Sequence, residues 1–249
     1  GVAARRLRRD LAELAERRNA QIQAVLKVIA ETALLPVPLE SFYEMVHQAV
    51  LRVLPARNFY IALLDEERGQ IDRPYCVDEM FGIARRRKVG NGLTEFVMRQ
   101  GRTLFATHAE LEMMMKYGVI KKQDVPAHDY LGAPLKDSAG RSIGVIALSF
   151  DQTAQMAPRE AIEAISIVAA QVSMAIIHKQ SEEKMRVSEE RFRRLVEGAS
   201  DIIIEVSLEG IITYISPIAN EYLKLGAEKI IGSHFSIIAH PADVAGCYV

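Results

Sequence analysis

At 249 residues the chain is long for one domain and has room for two. It is 49% hydrophobic and 25% charged, a balance that supports buried cores and argues against intrinsic disorder. Lysine plus arginine is 31 against 32 acidic residues, a formal net charge of −1, so nothing in the charge points to nucleic acid or an anionic membrane as a partner.

The two cysteines, Cys76 and Cys247, form neither a disulfide framework nor a CxxC site, which points to a reducing, cytoplasmic compartment. The most apolar stretch, residues 164–177, carries Gln171 and two serines. It falls short of the roughly 20 apolar residues that a spanning helix needs, so no membrane contact is expected of these residues. The chain opens at Gly1 without a signal peptide and reads as a piece of a longer protein, in which membrane segments upstream stay open.

Residues 3–30 predict a long helix with coiled-coil character. Ala4, Leu7, Leu11 and Leu14 follow 3–4 spacing, and Ile22, Val25, Leu26 and Ile29 continue an apolar face after a phase shift. Arg5, Arg6, Arg8 and Arg9 alternate with apolar residues and face Asp10, Glu13 and Glu16, the pattern of a solvated helix face. Pro36 and Pro38 end this helix. A second helix follows with Phe42, Val46, Val50 and Val53 on one stripe.

Residues 58–65, Asn-Phe-Tyr-Ile-Ala-Leu-Leu-Asp, are apolar in both alternating sets, which predicts a strand covered on both sides. A turn leads to a strand over 71–79, where Pro74 suggests an edge position or a bulge. Next come the basic stretch Arg-Arg-Arg-Lys-Val at 85–89, a glycine-bounded turn and a short helix at 93–101. A strand at 103–107 and a helix at 108–118 follow. Residues 129–150 predict a hairpin around Asp137-Ser138-Ala139-Gly140, and a long helix runs from Pro158 to Glu197. Strands arriving in hairpins define an α+β fold, an antiparallel sheet with helices on one face and irregular segments on the other.

Three stretches resemble the GAF domain, a small-molecule-sensing module of signalling proteins: Asn58–Ile71, Gly90–Ala106 and Asp129–Leu148. The resemblance spans about residues 34–180. Residues from Arg191 onward resemble the opening of a PAS domain, with strands expected at 201–208 and 210–217, Tyr-Ile-Ser-Pro at 214–217 and His-Pro-Ala-Asp at 240–243. A complete PAS core would need three more strands and a helix after Val249, so 198–249 reads as a truncated, PAS-like module that does not fold independently. Between the two, Met174, His178, Ser181, Met185, Ser188, Phe192 and Leu195 form a weak 3–4 seam, which resembles the signalling helix that joins sensor modules.

Catalytic chemistry is thin. None of the six histidines lies in a kinase phosphoacceptor context, and no Gly-rich nucleotide loop or zinc spacing is present. Among GAF relatives, methionine sulfoxide reductases need several cysteines, and this unit has only Cys76, expected as a buried, inert thiol. Bilin attachment and cyclic-nucleotide signatures are absent, as is the cysteine of flavin-adduct PAS domains; on haem the sequence is silent. There is no candidate metal site. The resemblance implies a ligand cavity between the sheet and residues 79–128. Tyr60, Tyr75, Phe81, Phe96, Tyr117 and Tyr130 are its candidate lining, with Arg87 and His128 as polar contacts; core packing is the competing role for each aromatic.

The expected function is therefore the non-enzymatic sensory region of a bacterial signalling protein. It would bind an unidentified small molecule or partner, form a parallel homodimer through 3–30 and 158–197, and feed a histidine kinase. A ligand-free relay platform, and a diguanylate cyclase or transcriptional activator as output, are the alternatives.

Overall fold

A computed structural model of the chain describes residues 2–77, 85–121, 128–150, 158–197, 201–223 and 229–238. The chain divides into two compact units, residues 1–180 and 181–249.

The first unit is built on a six-stranded antiparallel sheet of order β3-β2-β1-β6-β5-β4. In chain order its elements are α1 (Val2–Ala33), α2 (Leu39–Leu51), β1 (Asn58–Asp65), β2 (Gln70–Val77), β3 (Arg86–Lys88) and α3 (Leu93–Gln100). Then come β4 (Leu104–Ala106), α4 (His108–Lys116), β5 (Asp129–Lys136), β6 (Ser142–Phe150) and α5 (Pro158–Glu197), the last crossing into the second unit. β1 and β6 lie at the centre, which explains why both alternating sets of β1 are apolar. Phe59 and Ile61 enter the core under α1, α2 and α5, while Tyr60 packs against the opposite cluster.

The helix-side core joins Phe42, Val46 and Val50 of α2 to Leu131, Ile146 and Leu148 of the sheet and to Ile165, Val168, Val172 and Ile176 of α5. Each buried aliphatic or aromatic side chain contributes about 1.5–3 kcal/mol of transfer free energy. Ile22, Val25 and Ile29 of α1 are also buried in this core, so the C-terminal half of the expected coiled-coil stripe is used within the chain. Leu14 is 62% exposed, and the side chains of Ala4, Leu7 and Leu11 lie outside those described. By length and composition α5 is apolar enough to cross a membrane, yet half of that apolar window is buried inside the protein, as in a core helix.

The second face differs from the expectation of irregular segments alone: α3 and α4 lie on it. Leu93, Val97 and Leu111 of these helices pack on Val145, Ala147 and Tyr130 of the sheet. Thr107 caps α4, its Oγ1 accepting from Glu110 N at 3.3 Å while Glu110 Oε2 accepts from Thr107 N at 2.8 Å. Gly101, at φ 60°, closes α3 in the left-handed conformation.

Pro74 sits at an irregularity and also beyond the part of β2 that β3 pairs with, so both features the proline suggested are present among the described residues. β2 lies between β3 and β1, and the β1–β2 register shifts between Ile61 and Leu63, opposite Arg73 and Pro74. Cys76 is a correction: it is exposed, not buried. Among the described residues β3 pairs with residues 70–72 of β2, and no strand pairs with the outer side of β2 at Cys76.

The second unit holds a two-stranded ribbon, β7 (Ile204–Val206) with β8 (Ile212–Ile215), then α6 (Ala219–Leu223) and a 3₁₀ turn at Phe235–Ile237. Its small core is Ile212, Ile215, Ala219 and Ile230, and Ser216 Oγ accepts from Ile203 N at 2.9 Å. The His-Pro-Ala-Asp stretch at 240–243 lies outside the described residues.

Candidate functional site

On the α3/α4 face, the middle of the sheet is lined by small residues. Ala62, Gly132 and Ala147 leave room above the strands, and the Tyr130 ring takes it. A Cβ on Gly132 would sit 2.3 Å from Tyr130 Oη, so only glycine lets the ring lie back over its own strand. Tyr130 is 1% exposed. Its hydroxyl lies 3.2 Å from Tyr60 Oη, which in turn lies 3.1 Å from Thr94 Oγ1 on the first turn of α3. Thr94 is fully buried, so this helix enters the core through a hydroxyl. Arg73, 5% exposed, holds its guanidinium carbon 5.4 Å from the Tyr60 ring centre, a cation–π contact. The register irregularity at Ile61/Leu63 accompanies Arg73 onto the face that Tyr60 occupies.

Glu95 holds the rim. Its buried carboxylate accepts Arg87 Nη2 at 2.9 Å, Gly90 N at 2.7 Å and Gly92 N at 3.2 Å, and Arg87 Nη1 binds the other carboxylate oxygen. Burial pushes the Glu95 carboxyl upward, but the Arg87 and Gly90 hydrogen bonds and the Arg87 charge outweigh it and bring it down to about 2. Asn91 extends the clasp, donating to Val119 O at 3.2 Å, while Lys121 N donates to Asn91 O at 2.8 Å. The 88–92 loop, α3 and the turn after α4 are thereby held together.

At the β4 end of this face lies a cavity of about 490 Å³. Leu104, Phe105 and Ala106 of β4 and Ala109, Glu110, Met113 and Met114 of α4 line it. Its size falls within the usual range for small-molecule pockets, and its wall is mainly apolar, with Glu110 as the charged member, and adaptable through the methionines.

The structure brings together Tyr60, Tyr130 and Phe96, which share one cluster, and ties Arg87 to α3 through Glu95. His128 is half-buried and immediately precedes β5. Tyr117 caps the C-terminus of α4 and is 69% exposed. Tyr75 belongs to the other face: its hydroxyl lies 3.0 Å from His47 Nδ1 and its ring packs edge-on against Phe59. Phe81 lies outside the described residues. Arg73, Thr94 and Glu95 were missed. A threonine on the inner side of an otherwise apolar helix turn, and a basic residue beside a strand proline, are the signals that would have found the first two. Cys76 pairs across from Tyr60 and so borders this face. Among the described residues no group of three His, Cys, Asp or Glu side chains could hold a metal ion.

The sheet order, the helices on both faces and the clasped α3 loop define a GAF fold. Residues 37–177, more than half of the chain, match the GAF domain family, and the chain belongs to it. GAF domains are typical of signalling sensor proteins. A GAF domain from a Coxiella burnetii phosphoenolpyruvate-protein phosphotransferase is similar at TM-score 0.53 and 18% identity, over 66% of this chain and 98% of that one. The A. aeolicus nlh2 GAF domain in an inactive state is similar at TM-score 0.50 and 17% identity, over 65% of this chain and 99% of that one. Among curated proteins, White collar 1 protein of Neurospora crassa is 36% identical over 67 residues, 27% of this chain and 5% of that protein. The chain therefore spans about one-twentieth of that relative's length.

Proposed function

We propose that the first unit is the sensor module of a signal-transduction protein, and that it binds a small molecule on the sheet face beneath α3 and α4. The observation that carries the reading is the buried hydroxyl chain Thr94–Tyr60–Tyr130 with Arg73 over Tyr60, close to a mainly apolar cavity. Here three hydroxyls and a guanidinium meet inside an otherwise apolar cluster. Polar groups placed in an apolar setting fix a ligand's orientation.

In this proposal α5 carries the response to a PAS-like module and on to a histidine kinase, with a cyclase or transcriptional activator as other outputs. The relay acts as a parallel homodimer through α1 and α5. Met174, Met185, Phe192 and Leu195 are all more than 60% exposed and, at steps of 11, 7 and 3 residues, stay in phase with one 3–4 seam, a stripe suited to a second copy. Light scattering on the purified chain should give a dimer at tens of micromolar; a monomer there removes the dimeric relay.

The ligand reading is tested by native mass spectrometry and a thermal-shift screen of a small-metabolite panel. Any compound that raises Tm should lose its effect in Thr94→Val and Tyr60→Phe, both of which keep the side-chain volume. Hits indifferent to both substitutions would remove the site. A panel without hits, with no co-purifying molecule, would favour the ligand-free relay platform.

A further inference from the structure

α5 changes character at Lys179. Up to Ile176 its inner face is buried in the core, whereas residues 181–195 are all exposed. Lys179 sits at that transition and is itself only 7% exposed. Its Nζ donates to Leu35 O at 2.7 Å and Val37 O at 3.5 Å, and lies 5.8 Å from the Phe42 ring centre.

Those carbonyls belong to the turn that ends α1. Leu34 N and Leu35 N reach back to Glu31 O and Thr32 O, each at 3.2 Å, and Val37 N closes on Leu35 O at 2.8 Å. The carbonyl end of a helix favours a cation, and the last turn of α1 has no basic residue of its own. Lys179, 144 positions further along the chain, supplies it. The contact thus joins the end of the first helix to the point where the last helix leaves the core.

A buried ammonium is an expensive way to fill space. Methionine would occupy the same slot beside Phe42 without removing a charge from water. What the ammonium adds is a condition: its two carbonyl partners stand together only while the turn between α1 and α2 keeps its shape. Two charge-assisted bonds to backbone are also stronger than neutral ones and are tied to no particular side chain in α1.

We propose that Lys179 is a latch that couples the carbonyl end of α1 to the last docked turn of α5. A displacement of α1 releases that turn, and a displacement of α5 frees the 33–38 segment. The latch stands independently of the ligand site, which is on the opposite face of the sheet.

Amide hydrogen exchange on the whole chain tests it. Lys179→Met keeps the stem against Phe42 and removes the donors. Exchange should then speed about tenfold at both 33–38 and 176–183, with β1 and β6 unchanged. Lys179→Gln, which keeps a neutral donor, should fall between wild type and Lys179→Met at both segments. It also serves if the methionine variant does not fold. Acceleration at one segment alone, at neither, or uniformly through β1 and β6 overturns the proposal, because a residue that merely packs would loosen the whole unit.

Discussion

Replacing Glu95 by glutamine should be among the costliest polar substitutions in the first unit, and its pH dependence gives the size. The carboxyl falls from its ordinary 4.5 to about 2 in the folded protein, where burial raises it and the Arg87 and Gly90 hydrogen bonds lower it further. At about 1.36 kcal/mol per pKa unit, that difference corresponds to roughly 3 kcal/mol of stability at pH 7. Because the folded value is depressed, the contribution is complete above the unfolded value of 4.5 and is lost as pH falls toward about 2. Glutamine accepts from fewer donors and leaves the Arg87 guanidinium, 20% exposed, without its carboxylate. Urea denaturation followed by circular dichroism should therefore place Glu95→Gln about 3 kcal/mol below wild type at pH 7. The gap should shrink steadily between pH 4.5 and 2; other carboxylates titrate in that window, but they do so in both proteins and cancel. A gap under about 0.5 kcal/mol at pH 7, the usual scatter of surface substitutions, or one that stays constant to pH 3, would refute this account of the clasp.

Gly144→Ala should cost about 3 kcal/mol or more, since the new Cβ would lie 2.3 Å from the backbone oxygen of Ala62, which cannot turn aside. Gly132→Ala should cost less, about 1–3 kcal/mol, because its obstacle is the Tyr130 side chain; urea midpoints compare the two. His47, stacked on Phe59 and 6% exposed, has its pKa lowered by burial, against a smaller upward pull from Glu44. Its contribution is therefore full above pH 6.5 and is lost as pH falls from there through the lowered folded value; Tm measured from pH 7.5 to 5 should fall more in wild type than in His47→Gln.

Much of this fold was legible because its signals are local. The proline pair at 36 and 38 ends α1, the Asp137–Gly140 turn sets the β5–β6 hairpin, and α5 runs over the expected residues. The turn is written into Asp137, whose Oδ1 accepts from Ala139 N at 3.0 Å and Arg141 N at 2.9 Å. Partnering was harder to read. Ile22, Val25 and Ile29 have the spacing of a coiled-coil seam, yet they are spent on α2 and the core, because periodicity reports that a face is apolar and not what covers it. Cys76 was misjudged for a related reason: a strand's length says nothing of how far its neighbour extends, and β3 stops short of it.

The site was only half legible, and strand geometry explains which half. Tyr60 and Tyr130 share a face, two residues out of register, on strands that both pair with β6, so two tyrosines within apolar runs were a fair signal of one shared face. Tyr75 looks the same in sequence, but strand parity separates it. It pairs with Ile61, one residue beyond Tyr60, and a one-residue step carries a side chain to the other face. There it meets His47 and Phe59 under α2. Arg73 shows the reverse case. Counting by twos from Tyr75 would place it on the helix side, among the mainly apolar residues under α2. The irregularity opposite Ala62 breaks that count, and the cation rests on Tyr60 instead. A single extra residue in β2 thus decides that the cation meets the hydroxyl chain rather than the aliphatic core. Alternation alone could not reveal this, because it assumes the regular pairing that Pro74 interrupts.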